Sequence, residues 1–81
     1  SAAQSCADAI YRIVFTGIIF MVTDSDIITA LNRLQTSAEA KLTSEFFKQK
    51  TGDSLKVIVE GGFLTDSSRS KINSVIRENL V

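Results

Sequence analysis

From Ile10 onward the chain carries β-branched and aromatic side chains almost without interruption: Ile10, Tyr11, Ile13, Val14 and Phe15, then Ile18, Ile19, Phe20 and Val22. Two such runs flank Thr16-Gly17. Runs separated by two residues, one of them glycine, predict a β-hairpin over residues 10–23. With Phe15 opposite Ile18, Ile13 falls opposite Phe20 and Tyr11 opposite Val22, which makes one face wholly apolar. The second face holds Ile10, Arg12, Val14, Ile19, Met21 and Thr23. It is only partly polar, so the hairpin needs cover on both sides. A rival pattern runs through the same residues. Ser1, Ser5, Asp8, Arg12 and Thr16 recur every three or four positions and draw a polar stripe down one helix over 2–22. Gly17 and the β-branched load oppose that helix by a few tenths to about 1 kcal/mol per residue.

The next stretch is more regular. Ile27, Leu31, Leu34, Ala38, Leu42 and Phe46 follow one another at spacings of three or four, with Ile28 and Phe47 widening the stripe. Asp24, Ser25 or Asp26 supplies the N-terminal cap, Lys48 and Lys50 suit the C-terminal dipole, and Gly52 supplies a left-handed stop. The pattern predicts one amphipathic helix over 25–51, roughly 35–40 Å long at 1.5 Å per residue, unless Thr36-Ser37 divides it. Leu55-Lys56-Val57-Ile58-Val59-Glu60 alternates as a strand does, Gly61-Gly62 reads as a two-residue turn, and Phe63-Leu64-Thr65 returns as a short second strand. Asp66 or Ser67 then caps a final helix over 67–80, with Ile72, Val75, Ile76 and Leu80 as its apolar stripe.

These elements predict a small α+β domain spanning 1–81. Two hairpins form a four-stranded antiparallel sheet, packed on one face by the long helix and the C-terminal helix. The alternative is an all-α bundle with helices at 2–22, 25–51 and 67–80. At 81 residues the chain suits one domain and buries only about 60% of the surface its unfolded form exposes. That leaves little room for an enclosed active site.

Composition narrows the chemistry. Histidine, tryptophan and proline are absent and cysteine occurs once. A histidine-based triad, a Cys/His zinc site and an internal disulfide are therefore excluded. No serine or threonine has a histidine to activate it, and Ser70 and Lys71, as helix neighbours, do not face each other. The sequence predicts no enzyme and no cofactor. Cys6 reads as a small semi-buried thiol, with no cationic cluster beside it to favour a thiolate. Asp24-Ser25-Asp26 is the one close carboxylate pair, and its place before a helix reads as capping rather than as a metal site.

Nine basic residues balance nine acidic ones, where a nucleic-acid partner calls for a basic surplus, so none is expected. Within the balance, residues 1–26 carry Arg12 against Asp8, Asp24 and Asp26, while residues 27–52 carry Arg33, Lys41, Lys48 and Lys50 against Glu39 and Glu45. The apolar run Ile13 to Val22 is too short to span a bilayer, which needs about 20 residues, so no transmembrane segment is expected. No basic segment precedes it as in a signal peptide.

Apolar excess carries the functional expectation. In the α+β reading Ile10, Val14, Ile19 and Met21 are left on the second face of one hairpin, and Ile58 and Phe63 on that of the other. Uncovered apolar patches of more than a few hundred Å² mark interfaces. The sequence therefore points to a non-catalytic interaction or assembly module. It would self-associate or dock onto a protein partner through those six residues. The second expectation is an anion or small-ligand site at the Gly61-Gly62 turn and the helix start after it, with Ser67, Ser68 and Arg69 as its side chains.

Overall fold

The computed structural model describes residues 1–16 and 24–81. Ser1 opens helix α1 (Ala2–Tyr11), its hydroxyl accepting from the Gln4 amide at 3.2 Å. Ala3, Cys6, Ala7 and Ile10 are buried at spacings of three and four, and the small Ala3, Cys6 and Ala7 let α1 lie close along helix α3 (Ser37–Thr51), its most extensive neighbour. The backbone does not turn extended after Tyr11. It continues through Arg12–Thr16 as one π-helical turn.

That continuation overturns the first hairpin. Residues 10–16 are helical, and the proposed turn at Gly17 with the strand after it, including Ile19 and Met21, lies outside the described residues. The small propensity penalty of Ile, Val and Phe in a helix is outweighed once Ile10 is sealed in the core.

Helix α2 (Asp24–Asn32) begins with Asp24 and Asp26 in its first turn, where carboxylates suit the helix dipole, and buries Ile27, Ala30 and Leu31. The predicted long helix is divided here. Thr36 and Glu39 form a reciprocal capping box: the Glu39 amide donates to Thr36 Oγ1 at 3.1 Å, and Glu39 Oε1 accepts from the Thr36 amide at 3.1 Å. Glu39 Oε1 also accepts from the Gln35 amide at 2.8 Å. α3 then buries Ala40, Thr43, Ser44 and Phe47 and stops at Gly52, whose φ of 80° is the left-handed stop expected there.

The second hairpin is also overturned. Residues 55–60 are a six-residue helix, α4 (Leu55–Glu60), capped by Ser54. Leu55 and Val59, four apart, are fully buried, while Lys56 and Val57 between them face solvent. In so short a run the two periodicities share positions 55 and 59, and Val57, which a strand would place on the same face, is exposed and separates them. Gly61 ends the helix, its amide donating to the Val57 carbonyl at 2.7 Å. A Cβ on Gly61 would collide with that same carbonyl, and Gly62 holds a φ of 98° that favours glycine. The glycine pair closes a helix rather than turning a strand.

The predicted last helix is two short ones, α5 (Asp66–Arg69) capped by Thr65, and α6 (Ser74–Glu78) capped by Asn73. Ile72, Ile76 and Leu80 reach the core as expected, whereas Val75 is 49% exposed. The α+β architecture is thus replaced by an all-α one. Among the described residues there is no strand, and one apolar core draws on α1, α2, α3, α4 and α6.

Candidate interaction surface

Loss of the sheet scatters the face expected to dock. Ile10 has no exposed surface and belongs to the core. Val14 and Ile58 are half-buried against that core, and Phe63 is 46% exposed on the turn after α4. Ile19 and Met21 lie outside the described residues.

A different surface forms at the end of α1. Tyr11 and Phe15 are four residues apart, so a helical backbone stacks their rings, with centroids 5.7 Å apart and planes 25° from parallel. Phe15 also leans on Phe47, with centroids 6.2 Å apart. Phe47 is fully buried, Tyr11 half-buried, and Phe15 on top is 47% exposed. Lys50, one turn beyond Phe47 on α3, places Nζ 5.0 Å from the Tyr11 ring centroid and 3.3 Å from Asp8 Oδ1. Each of these contacts stabilises modestly: about 0.5–1.5 kcal/mol for an aromatic pair and about 0.5–1 kcal/mol for an exposed cation–π contact. The Lys50–Asp8 pair is also exposed and contributes about 1 kcal/mol at most. Together they hold Phe15 in one place while leaving nearly half of its surface to water. Pairing Phe15 with Ile18 across a hairpin concealed this ledge. The readable signal was the aromatic pair at helical spacing.

The expected anion site is built around an internal carboxylate. Asp24 Oδ2 accepts from the Thr65 amide at 3.2 Å and from the Thr65 hydroxyl at 3.3 Å. Hydrogen bonds from the Ser68 side chain first, then from the Thr65 backbone and hydroxyl, hold the Asp24 carboxyl below the usual carboxylate range. Asp24 thus sits at the start of α5, where an external anion would sit. Arg69 Nη1 donates to the Leu64 carbonyl at 2.6 Å, and its other terminal nitrogen pairs with Asp66. The Ser67 carbonyl accepts from the Ser70 hydroxyl at 2.6 Å, Ser68 is buried, and Gly61 and Gly62 shape the turn leading in. The sequence placed Asp24 at the cap of its own helix. Its reach to a segment 41 residues away had no sequence signal.

Among the described residues no three of His, Cys, Asp and Glu gather as a metal-binding group, and no helix is long and apolar enough to cross a membrane. Cys6 is buried, donates to the Ala30 carbonyl at 3.3 Å, and has its thiol pushed up to about 11 by burial, against weaker opposing effects from Arg33 and Thr43. It stays protonated near neutral pH and is a poor nucleophile there. The chain matches no protein-family model, no curated protein and no solved structure.

Proposed function

We propose that this chain is a non-catalytic protein-interaction module that docks through the aromatic ledge ending α1, with a second copy of itself as the first partner to test. The observation that carries this reading is Phe15, a large apolar ring 47% exposed yet held by stacking on Tyr11 and a tilted contact with Phe47. A ring already fixed in place loses little conformational freedom on docking, and rigid aromatic anchors dominate the energetics of interfaces. Lys50 and Asp8 beside it supply a charge of each sign, as an interface rim does. The absence of histidine and the protonated, buried Cys6 favour a binding role over catalysis.

Light scattering over a wide concentration range tests this. The expected result is a mass that rises with concentration for the native chain and stays monomeric for Phe15→Ser. A strict monomer at millimolar concentration removes self-association. Unchanged association in Phe15→Ser removes the ledge.

The second reading, an anion site at Gly61, Gly62, Ser67, Ser68 and Arg69, is less favoured because Asp24 already takes the Thr65 amide and hydroxyl at the start of α5 and Asp66 already pairs with Arg69. A phosphate titration followed at the amides of residues 61–69 decides it, and a flat response disposes of it.

A further inference from the structure

On the opposite side of α1 from Tyr11, a groove of about 350 Å³ runs between α1 and α2. Ala9, Arg12 and Ile13 form one wall, and Asp26, Thr29, Ala30 and Arg33 the other. Positions 26, 29 and 30 share one α2 face, and Arg33 follows in the turn just past the last residue of the helix. Asp26 in the first turn of α2 and Arg33 just beyond its end therefore mark opposite ends of that wall. Cys6, also on α1, fastens that helix beside the middle of this face, its thiol reaching the Ala30 carbonyl at 3.3 Å.

The two ends differ electrically. Arg12 and Asp26 carry opposite charges, and both are already engaged. Arg33 forms no ion pair among the described residues. Two arginines against one aspartate leave the groove one net positive charge, and with Arg12 engaged it falls to Arg33. Between the ends lie the Thr29 hydroxyl and a short apolar floor of Ala9, Ile13 and Ala30.

We propose that this groove binds a short alkyl carboxylate, its carboxylate forked on the Arg33 guanidinium and its hydrocarbon laid on Ala9, Ile13 and Ala30. A guanidinium presents paired donors that match a carboxylate in bidentate fashion. One spare positive charge balances one carboxylate. A phosphate dianion would leave a charge uncompensated beside Asp26 and make no use of the floor. The volume lies at the low end of the roughly 300–1,000 Å³ typical of ligand sites, which fits a small molecule rather than a long lipid. Two sources share this chemistry: a free short-chain carboxylate, and the terminal residue of a peptide with a branched apolar side chain. The proposal does not depend on the aromatic ledge.

The test is a titration of the native chain with hexanoate, and separately with N-acetyl-leucine as the mimic of a peptide terminus. Backbone amide shifts of residues 9–13 and 26–33 are the readout. Saturable shifts at these amides in either arm support the site, and the tighter arm identifies the source. Arg33→Gln, an exposed substitution, should weaken binding about tenfold, the worth of a charge-assisted hydrogen bond, and hexanol should bind correspondingly worse than hexanoate. No saturable shift with either probe up to tens of millimolar overturns the proposal. So does hexanoate binding that Arg33→Gln leaves intact. Inorganic phosphate binding as strongly as hexanoate at the same amides overturns it as well.

Discussion

Asn32 at the end of α2 pairs its side chain with the backbone at Asn73: Asn32 Oδ1 accepts from the Asn73 amide at 2.8 Å, while Nδ2 donates to the Lys71 carbonyl at 3.0 Å. At the other end of the same helix Asp24 holds Thr65. The separation in sequence is 41 in both pairs, so α2 and residues 65–73 lie side by side in the same direction. Each end of α2 is fastened by one side chain. Asn32→Ala removes two hydrogen bonds and should lower stability by about 1–2 kcal/mol. Asn32→Asp keeps the acceptor for Asn73 but turns a carboxylate toward the Lys71 carbonyl, and should not restore the loss. Urea denaturation midpoints measure both, and two unchanged midpoints would remove Asn32 from the account.

Acid should loosen the Asp24 end. The Asp24 carboxyl lies below its ordinary value of 3.8 through bonds from Ser68 and Thr65. Glu60 lies below its ordinary 4.5, chiefly through the hydrogen bond from Arg77, at 2.7 Å from Nε to Oε1. A folded pKa below the unfolded one stabilises fully above the unfolded value, and that stabilisation is lost as pH falls through the folded value. The loss should therefore begin near pH 4 and deepen below it. Asp24→Asn and Glu60→Gln should each flatten part of the acid limb of a Tm-against-pH curve, and an unaltered limb in both would contradict it.

Base should act through Cys6. Its folded pKa of about 11 lies above the unfolded value of 9.0. The unfolded chain therefore releases its thiol proton first, and stability falls as pH rises between the two values. With Cys6 almost fully buried, the loss by the end of that window is on the order of 2–3 kcal/mol. Cys6→Ala should abolish this decline, and thiol labelling of the native chain at neutral pH should be slow. Rapid labelling would place the thiol outside the core.

Thr36→Ala should cost about 1 kcal/mol by breaking the capping box that starts α3. Gly62→Ala should cost about 1–2 kcal/mol because an L-residue is strained at a φ of 98°. Thermal unfolding reads both. A Thr36→Ala protein as stable as the parent would mean that α2 and α3 do not depend on that break.

How much of this fold the sequence discloses varies by element. The stop at Gly52 and the buried positions Ile27, Leu31 and Phe47 follow from local rules that the structure obeys. The division at Thr36 was visible as a Thr-x-x-Glu spacing, though the unbroken stripe over 25–51 masked it. Residues 10–16 and 55–60 misled because Ile, Val and Phe favour strands locally while burial of Ile10, Leu55 and Val59 at helical spacing decides globally. The candidate site was less legible still. Phe15 becomes a ledge only when α1 and α3 meet, and Asp24 reaches α5 only in the folded chain.

The central claim is that the backbone stays helical through residues 10–16 and so sets the Phe15 ring on Tyr11 and Phe47. Side-chain nuclear Overhauser contacts among these three rings, read together with the Cα shifts of residues 12–16, test it most directly. The account predicts Tyr11–Phe15 and Phe15–Phe47 ring contacts with helical shifts. Extended shifts, with Tyr11 and Phe15 too far apart for any ring contact, would contradict it.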